Sequence, residues 1–334
     1  MQRIALKAPY LIFVGDEARV TYAKTGRGIV DWRRDACAGQ LQLAPEACDL
    51  GLPDMTVAEA ASAGVGSLII GTALVGGSIP SPWVATLVEA ARAGIDIVAG
   101  LHTRLASIPE LVSAAAEGGA QLLDVRTPPA DLPVGSGRKR AGKRLLTVGT
   151  DCALGKKYTA LQLERDLRAA GLSADFRASG QTGIMIAGEG IPIDCVVADF
   201  ISGAAEVLSP DNAPDHWDVI EGQGGIFHPG YAAVSHGLLI GSQPDAFVVC
   251  HAAGRTEIEG WPHVPLPSIG DVIERTVQIG RLTNPAIRCV GISVNTSSLP
   301  EGERREYLAR LGKRYGLPAV DPLLTGTAAI LDNL

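Results

Sequence analysis

"VGTDCALGKKYT" (residues 148–159) decides how this 334-residue chain is read. The apolar run "LLTVG" leads into Gly149, and Gly155-Lys156 opens a helix expected to run to about residue 170, closed by Gly171. Strand, glycine loop, lysine and helix in that order make a P-loop. Its backbone N–H groups and the positive helix end face an anion, and the lysine adds a charge. Two departures follow. Gly149 to Gly155 encloses five residues, so Thr150 stands at the first glycine position of the common motif. Lys157 stands where that motif has the Ser or Thr that holds magnesium. The phosphate-site reading draws Gly149, Thr150, Asp151, Gly155, Lys156, Lys157 and Tyr158 into cofactor binding, with Lys156 exposed to the ligand. The plain alternative is an ordinary strand–helix turn.

Outward from this loop the chain keeps alternating strands and helices. "WDVIEG" (217–222), "AFVVCH" (246–251) and "IRCVGISVN" (287–295) read as buried strands, with helices near 269–282 and 300–315. In the first half "SLIIG", "IDIVAG" and "AQLLDV" alternate with helices near 82–93 and 108–117. Such alternation implies βαβ units and parallel sheets. No G-x-G-x-x-G follows a strand there, so a nicotinamide site has little support. The expected class is α/β: a Rossmann-like parallel-sheet domain over 1–130 and a P-loop NTPase-like domain over 145–334. The Pro/Gly-rich stretch 131–144 is the linker, and the basic residues at its end read as a solvated charge run.

Composition bounds the function. Hydrophobic residues make up 46% and charged residues 19%, which describes a globular protein. A net charge of −7 argues against a general nucleic-acid binder. Six scattered cysteines, none in a C-x-x-C pair, read as reduced thiols of a cytoplasmic protein. The N-terminal twenty residues lack the pattern of a signal peptide. The uncharged stretch 60–88 is interrupted by five glycines and two prolines, so it reads as strand, loop and helix rather than a membrane span. No H-x-x-H or paired Cys/His occurs, and no metal is expected. The expected partners are small-molecule substrates and further copies of this chain, with no nucleic acid and no membrane.

Ligands on parallel sheets collect at the carboxyl ends of the strands. That rule puts the P-loop, Glu221–Gly225, His251 and Asn295 along one rim. Glu221, in "DVIEGQGGIFHP", ends a strand and is followed by glycines that let a ligand approach; it is either a base or an acid that caps a turn. His228 and His251 are the other base candidates, ranked after Glu221, because imidazole titrates near neutral pH. In "FRASGQTGIMIAGEG" (176–190), Ser179, Gln181 and Thr182 offer polar groups to a substrate. Arg177 is either a carboxylate fork or a surface arginine beside a glycine turn.

"GTDCALGKKYTALQL", "RASGQTGIMIAGEGIPIDCVVADFISGAAE", "IEGQGGIFHPGY" and "GSQPDAFVVCHAAGR" together resemble a P-loop family long labelled only as a domain of unknown function, with a Rossmann-like N-terminal half. Its characterised type is a D-glutamate N-acetyltransferase. The resemblance implies acetyl-CoA as co-substrate and a D-amino acid, D-glutamate first, as acceptor in D-amino acid catabolism. Coenzyme A offers the loop its phosphates, and acyl transfer needs no magnesium, so a second lysine replaces the metal's charge. Arg177 or Arg255 would then pair with substrate carboxylates. "GTD…GK" and "EGQGG" are also similar to dethiobiotin synthetase, where magnesium-ATP binds; Lys157 departs from that family's Thr. The competing readings are therefore a magnesium-ATP kinase or ligase and a non-catalytic nucleotide sensor.

Overall fold

The computed structural model describes residues 2–73 and 77–334, so residues 74–76 of the expected uncharged loop lie outside the described residues. The chain forms two compact units, residues 2–127 with 181–192, and 128–180 with 193–334.

In the first unit, five parallel strands lie in the order Cys37–Gln42, Tyr10–Gly15, Ser67–Ile70, Asp96–Ala99, Leu122–Asp124. Central strands of a parallel sheet are covered on both faces, and "YLIFV" and "SLII" are accordingly continuous buried runs. The core joins Leu11, Phe13, Leu68 and Ile97 to Trp83, Leu87 and Leu111 from the flanking helices. Helices Ser81–Arg92 and Pro109–Gly118 each carry proline in the first turn, where a missing N–H costs nothing, and the second ends at Gly119 with φ 70°. Residues 181–192 pack here although they come from the second half of the sequence. Thr182 Oγ1 lies 3.1 Å from Thr25 Oγ1, and Glu189–Gly190 pairs with Gln2–Arg3.

The second unit holds a six-stranded parallel sheet in the order Ala319–Val320, Arg288–Asn295, Ala246–Ala252, Lys143–Gly149, Trp217–Ile220, Ala174–Arg177. From Lys143–Gly149 the chain goes to one edge, returns at Trp217–Ile220, then crosses to Ala246–Ala252 and builds the other side. The order reverses around the strand that carries the P-loop, and such a switch point is where open α/β sheets bind ligands. Helix Lys156–Ala169 packs Ala160, Leu163 and Leu167 on Leu145, Val219 and Val248. Each buried leucine or valine of this kind contributes roughly 1.5–3 kcal/mol.

The basic run before this strand is not fully solvated. Arg140 is 8% exposed and donates to the carbonyls of Ser209 and Gly241, while Arg144, fully buried, donates to Ser209 Oγ and to the carbonyls of Arg140, Ala141 and Pro210. A guanidinium's several donors let each arginine close a set of carbonyls that burial would otherwise leave unmet. Burial, and then neighbouring Arg144, push the pKa of Arg140 down to about 10. Among the described residues no helix is long and apolar enough to cross a membrane.

Candidate active site

The P-loop begins as a continuation of the sheet: Thr150 N donates to Cys250 O at 3.0 Å, and Thr150 Oγ1 lies 3.2 Å from His251 Nδ1. The loop then turns through two left-handed positions, Ala153 at φ 52° and Gly155 at φ 101°, before helix Lys156–Ala169. Ala153 accepts a conformation that L-residues enter at a cost, a strain often kept at ligand-gripping loops. Lys156 departs from its expected exposure. It is 7% exposed, and Nζ donates to the Asp151 carbonyl of its own loop at 2.7 Å. Burial lowers its pKa.

Asp151 organises this region and is itself fully buried. Oδ1 accepts from Cys152 N at 2.6 Å; Oδ2 accepts from Glu259 N at 2.8 Å and from Arg255 at 2.9 Å. Its carboxylate is engaged by donors of the protein itself. Arg255 also donates to Cys152 O. It braces the loop, which leaves the expected substrate fork unsupported at this position.

Glu221 follows strand Trp217–Ile220 and is 5% exposed. Ser179 N and Gly180 N both donate to its Oε2, at 3.1 and 3.0 Å, and Ser179 Oγ donates to its carbonyl at 2.5 Å. Burial raises its pKa to about 7, against the pull of Lys157 and the two N–H groups; Asp194 pushes the same way as burial. A buried carboxyl poised near neutrality at a strand end is the pattern of a functional acid or base. Gly222 is required next: a Cβ there would lie 1.7 Å from Thr147 O and 3.2 Å from Lys156 Cδ. Its N–H donates to Thr147 Oγ1 at 2.9 Å, which fixes the glycine loop to the P-loop strand.

The structure brings Gly149 to Lys157, Ser179, Glu221, His228, His251 and Arg255 into one cluster. Lys157 Nζ stands 4.9 Å over the Tyr158 ring, and both residues are half-buried. Asn295 is exposed at the end of its strand. Gln181 and Thr182 belong to the other unit, and Thr182 is hydrogen-bonded to Thr25. Arg177 is corrected outright. The residue is 6% exposed, and its guanidinium pairs with Asp218 at 2.7 Å and Asp175 at 3.2 Å, so it holds strands together rather than a substrate. His228 also departs from the role of base. Its Nδ1 accepts from Gly230 N at 3.1 Å, which places the imidazole proton on Nε2 and leaves no nitrogen to take another.

Asp151, Cys152 and His228 place potential metal-binding atoms within 4.8 Å of one another. An imidazole that accepts at Nδ1 carries hydrogen at Nε2, so this geometry offers a cation no lone pair from the histidine. Sequence reasoning missed Thr147 and gave no individual role to Gly180 or to Gln223, whose Nε2 donates to Ser179 Oγ at 3.0 Å. Gly180 was legible as part of a glycine turn; Thr147, one polar residue inside an apolar strand, was the other available signal.

A parallel sheet carrying a glycine loop, lysine and helix at its switch point defines a P-loop protein, here in one chain with a Rossmann-like unit. The chain belongs to the family described as "Domain of unknown function (DUF1611_C) P-loop domain", matched over residues 133–331, with the companion "(DUF1611_N) Rossmann-like domain" matched over 37–128. It is 47% identical over 329 residues to a D-glutamate N-acetyltransferase of Pseudoalteromonas sp, covering 98% of this chain and 99% of the relative. It is 45% identical to the D-glutamate N-acetyltransferase of Tritonibacter scottomollicae over the same shares. The crystal structure of a DUF1611 family protein from Anabaena variabilis superposes with a TM-score of 0.89 at 33% identity, covering 98% of this chain and 99% of that one.

Proposed function

We propose that the protein transfers the acetyl group of acetyl-CoA to the amino group of D-glutamate, a step of D-amino acid catabolism. The observation that carries this reading is the identity of 47% and 45% to two D-glutamate N-acetyltransferases over 98% of the chain. The site chemistry agrees with it. Coenzyme A presents phosphates, for which the loop N–H groups, Lys156 and Lys157 are suitable partners. The amine must lose a proton before its nitrogen attacks the thioester carbonyl. The tetrahedral oxyanion then collapses, the C–S bond breaks, and the thiolate leaves as the CoA thiol by taking up the second proton that the attacking nitrogen loses as it becomes the amide. Glu221, held near pH 7 in its burial, is the proposed acceptor of the ammonium proton. Its two backbone donors keep the carboxylate oriented. His251, half-buried against Thr150, is assigned to the loop's support.

Lys157 in place of a magnesium-holding hydroxyl supports acyl rather than phosphoryl transfer. Thermal shift with acetyl-CoA, CoA, ATP and magnesium-ATP tests this. A ligand at a hundred times its dissociation constant adds about 2.7 kcal/mol of stability, and acetyl-CoA and CoA should do so. Acetyl transfer to D-glutamate should survive excess EDTA. Stabilisation by magnesium-ATP alone, or activity that EDTA abolishes and magnesium restores, would favour an ATP-dependent enzyme instead.

A further inference from the structure

His228 is the least obvious polar residue of the site. It is 1% exposed, and its Nε2 makes no hydrogen bond although it is buried. Gly230 N–H occupies Nδ1, so Nε2 carries the proton and points a donor at whatever lies before it. What lies before it is Asp151 Oδ1, at 3.7 Å. That oxygen accepts from Cys152 N alone among the described hydrogen bonds, so it keeps acceptor capacity. The imidazole plane is set by its neighbours: the Tyr231 ring lies 4.5 Å away at a 31° tilt and Trp261 meets it edge-on at 4.7 Å.

We infer that His228 is a positioning residue, fixed in the Nε2–H form, whose N–H faces the Asp151 carboxylate at 3.7 Å and steadies the P-loop electrostatically from the side of the glycine loop. The loop that begins at Glu221 is then tied to the phosphate site at three places. Gly222 N–H bonds Thr147, Gly225 lies against Asp151, where a Cβ would come within 3.2 Å of its Cα, and His228 faces the Asp151 carboxylate. Asp151 receives donors from the opposite side too, from Arg255 and Glu259 N, so one carboxylate registers three chain segments. The charged groups facing the imidazole are Asp151 and Lys156, with Arg255 beyond the carboxylate. Burial and Lys156 disfavour the imidazolium, and Asp151 favours it; the lowered pKa shows which side prevails. The role in the reaction rests on the proposed acetyl transfer, whereas the tautomer does not.

The test joins spectroscopy and kinetics. Imidazole ¹⁵N NMR of the full chain should show His228 protonated at Nε2 and unprotonated at Nδ1 throughout the range in which turnover rises with pH. His228→Asn, which cannot reach Asp151, should raise the KM for acetyl-CoA about tenfold while kcat and its pH profile stay near those of the parent. His228→Gln, long enough to present an N–H, should recover most of that loss. An imidazole that titrates along with turnover, or is deprotonated at Nε2, would overturn the inference. So would loss of kcat by about a hundredfold in both variants with KM unchanged, the mark of a base. If the parent transfers no acetyl group, the proposed reaction fails, and the NMR result alone judges the tautomer.

Discussion

Two charge clusters in the same parallel sheet hold their carboxylates differently. Asp175, Asp218 and Arg144 occupy one cross-strand row, joined by Arg177 and His216. Here the fixed charges are answered: Arg177 pairs with both aspartates, Ser209 Oγ donates to Asp218 at 2.6 Å, and Arg144 is ringed by carbonyls. At the P-loop, burial pushes the pKa of Glu221 up to about 7, and its carboxylate accepts from two backbone N–H groups rather than from a guanidinium. In both clusters burial lowers the pKa of a basic group, Arg144 or Lys156, and one imidazole Nε2, of His216 or His228, makes no hydrogen bond. Both clusters contain fully buried charged groups, Arg144 and Asp218 in one and Asp151 in the other, so burial alone does not mark a site. The distinguishing feature is a buried carboxylate held by backbone N–H groups at the carboxyl end of a strand, where a ligand can complete it.

Removing a partner from the Arg177 cluster should therefore cost stability and spare the chemistry. Asp218→Ala strands Arg177 without its closest carboxylate, and breaking such a buried pair costs about 3–5 kcal/mol. Thermal denaturation should show that loss, while the protein that remains folded should keep the parent's pH–rate profile. A profile displaced by this substitution would erase the contrast between the clusters. Gly222→Ala should have a smaller effect on stability, about 1–3 kcal/mol from overpacking against the Thr147 carbonyl. Its effect on acetyl transfer should be proportionately greater, because the backbone that carries Glu221 must shift. Turnover equal to the parent's would show that the glycine loop does not set the site.

The strands "SLII", "FVVC" and "VGISV" were legible because burial on both faces makes them continuous apolar runs. Cys37–Gln42 and Ala174–Arg177 were not, since glutamine, glycine and charged residues dilute the pattern in these edge strands. The P-loop was readable from local order alone. Arg177 was not, because its principal partner lies 41 residues away and only strand register brings the two together. The same reason hid Arg140 and Arg144, whose acceptors include carbonyls at Ser209 and Gly241. The structural role of Asp151 was hidden for a related reason: two segments distant in sequence, at His228 and at residues 255–259, converge on its carboxylate.

The central claim is that Glu221 takes the proton in a metal-independent acetyl transfer. An acid whose pKa is raised on folding is ionised only above the raised value, so turnover should climb with pH through about 7 and then level. The linked stability runs the other way, since the folded state favours the protonated carboxyl: it is fully present below the ordinary carboxyl pKa and declines as pH rises toward 7. Glu221→Gln keeps an acceptor for Ser179 N and Gly180 N but removes the base. With D-glutamate and acetyl-CoA saturating, its kcat should fall by at least about a hundredfold and lose the rise near neutrality. A Glu221→Gln enzyme that keeps near-parental kcat with the same pH dependence would contradict the account.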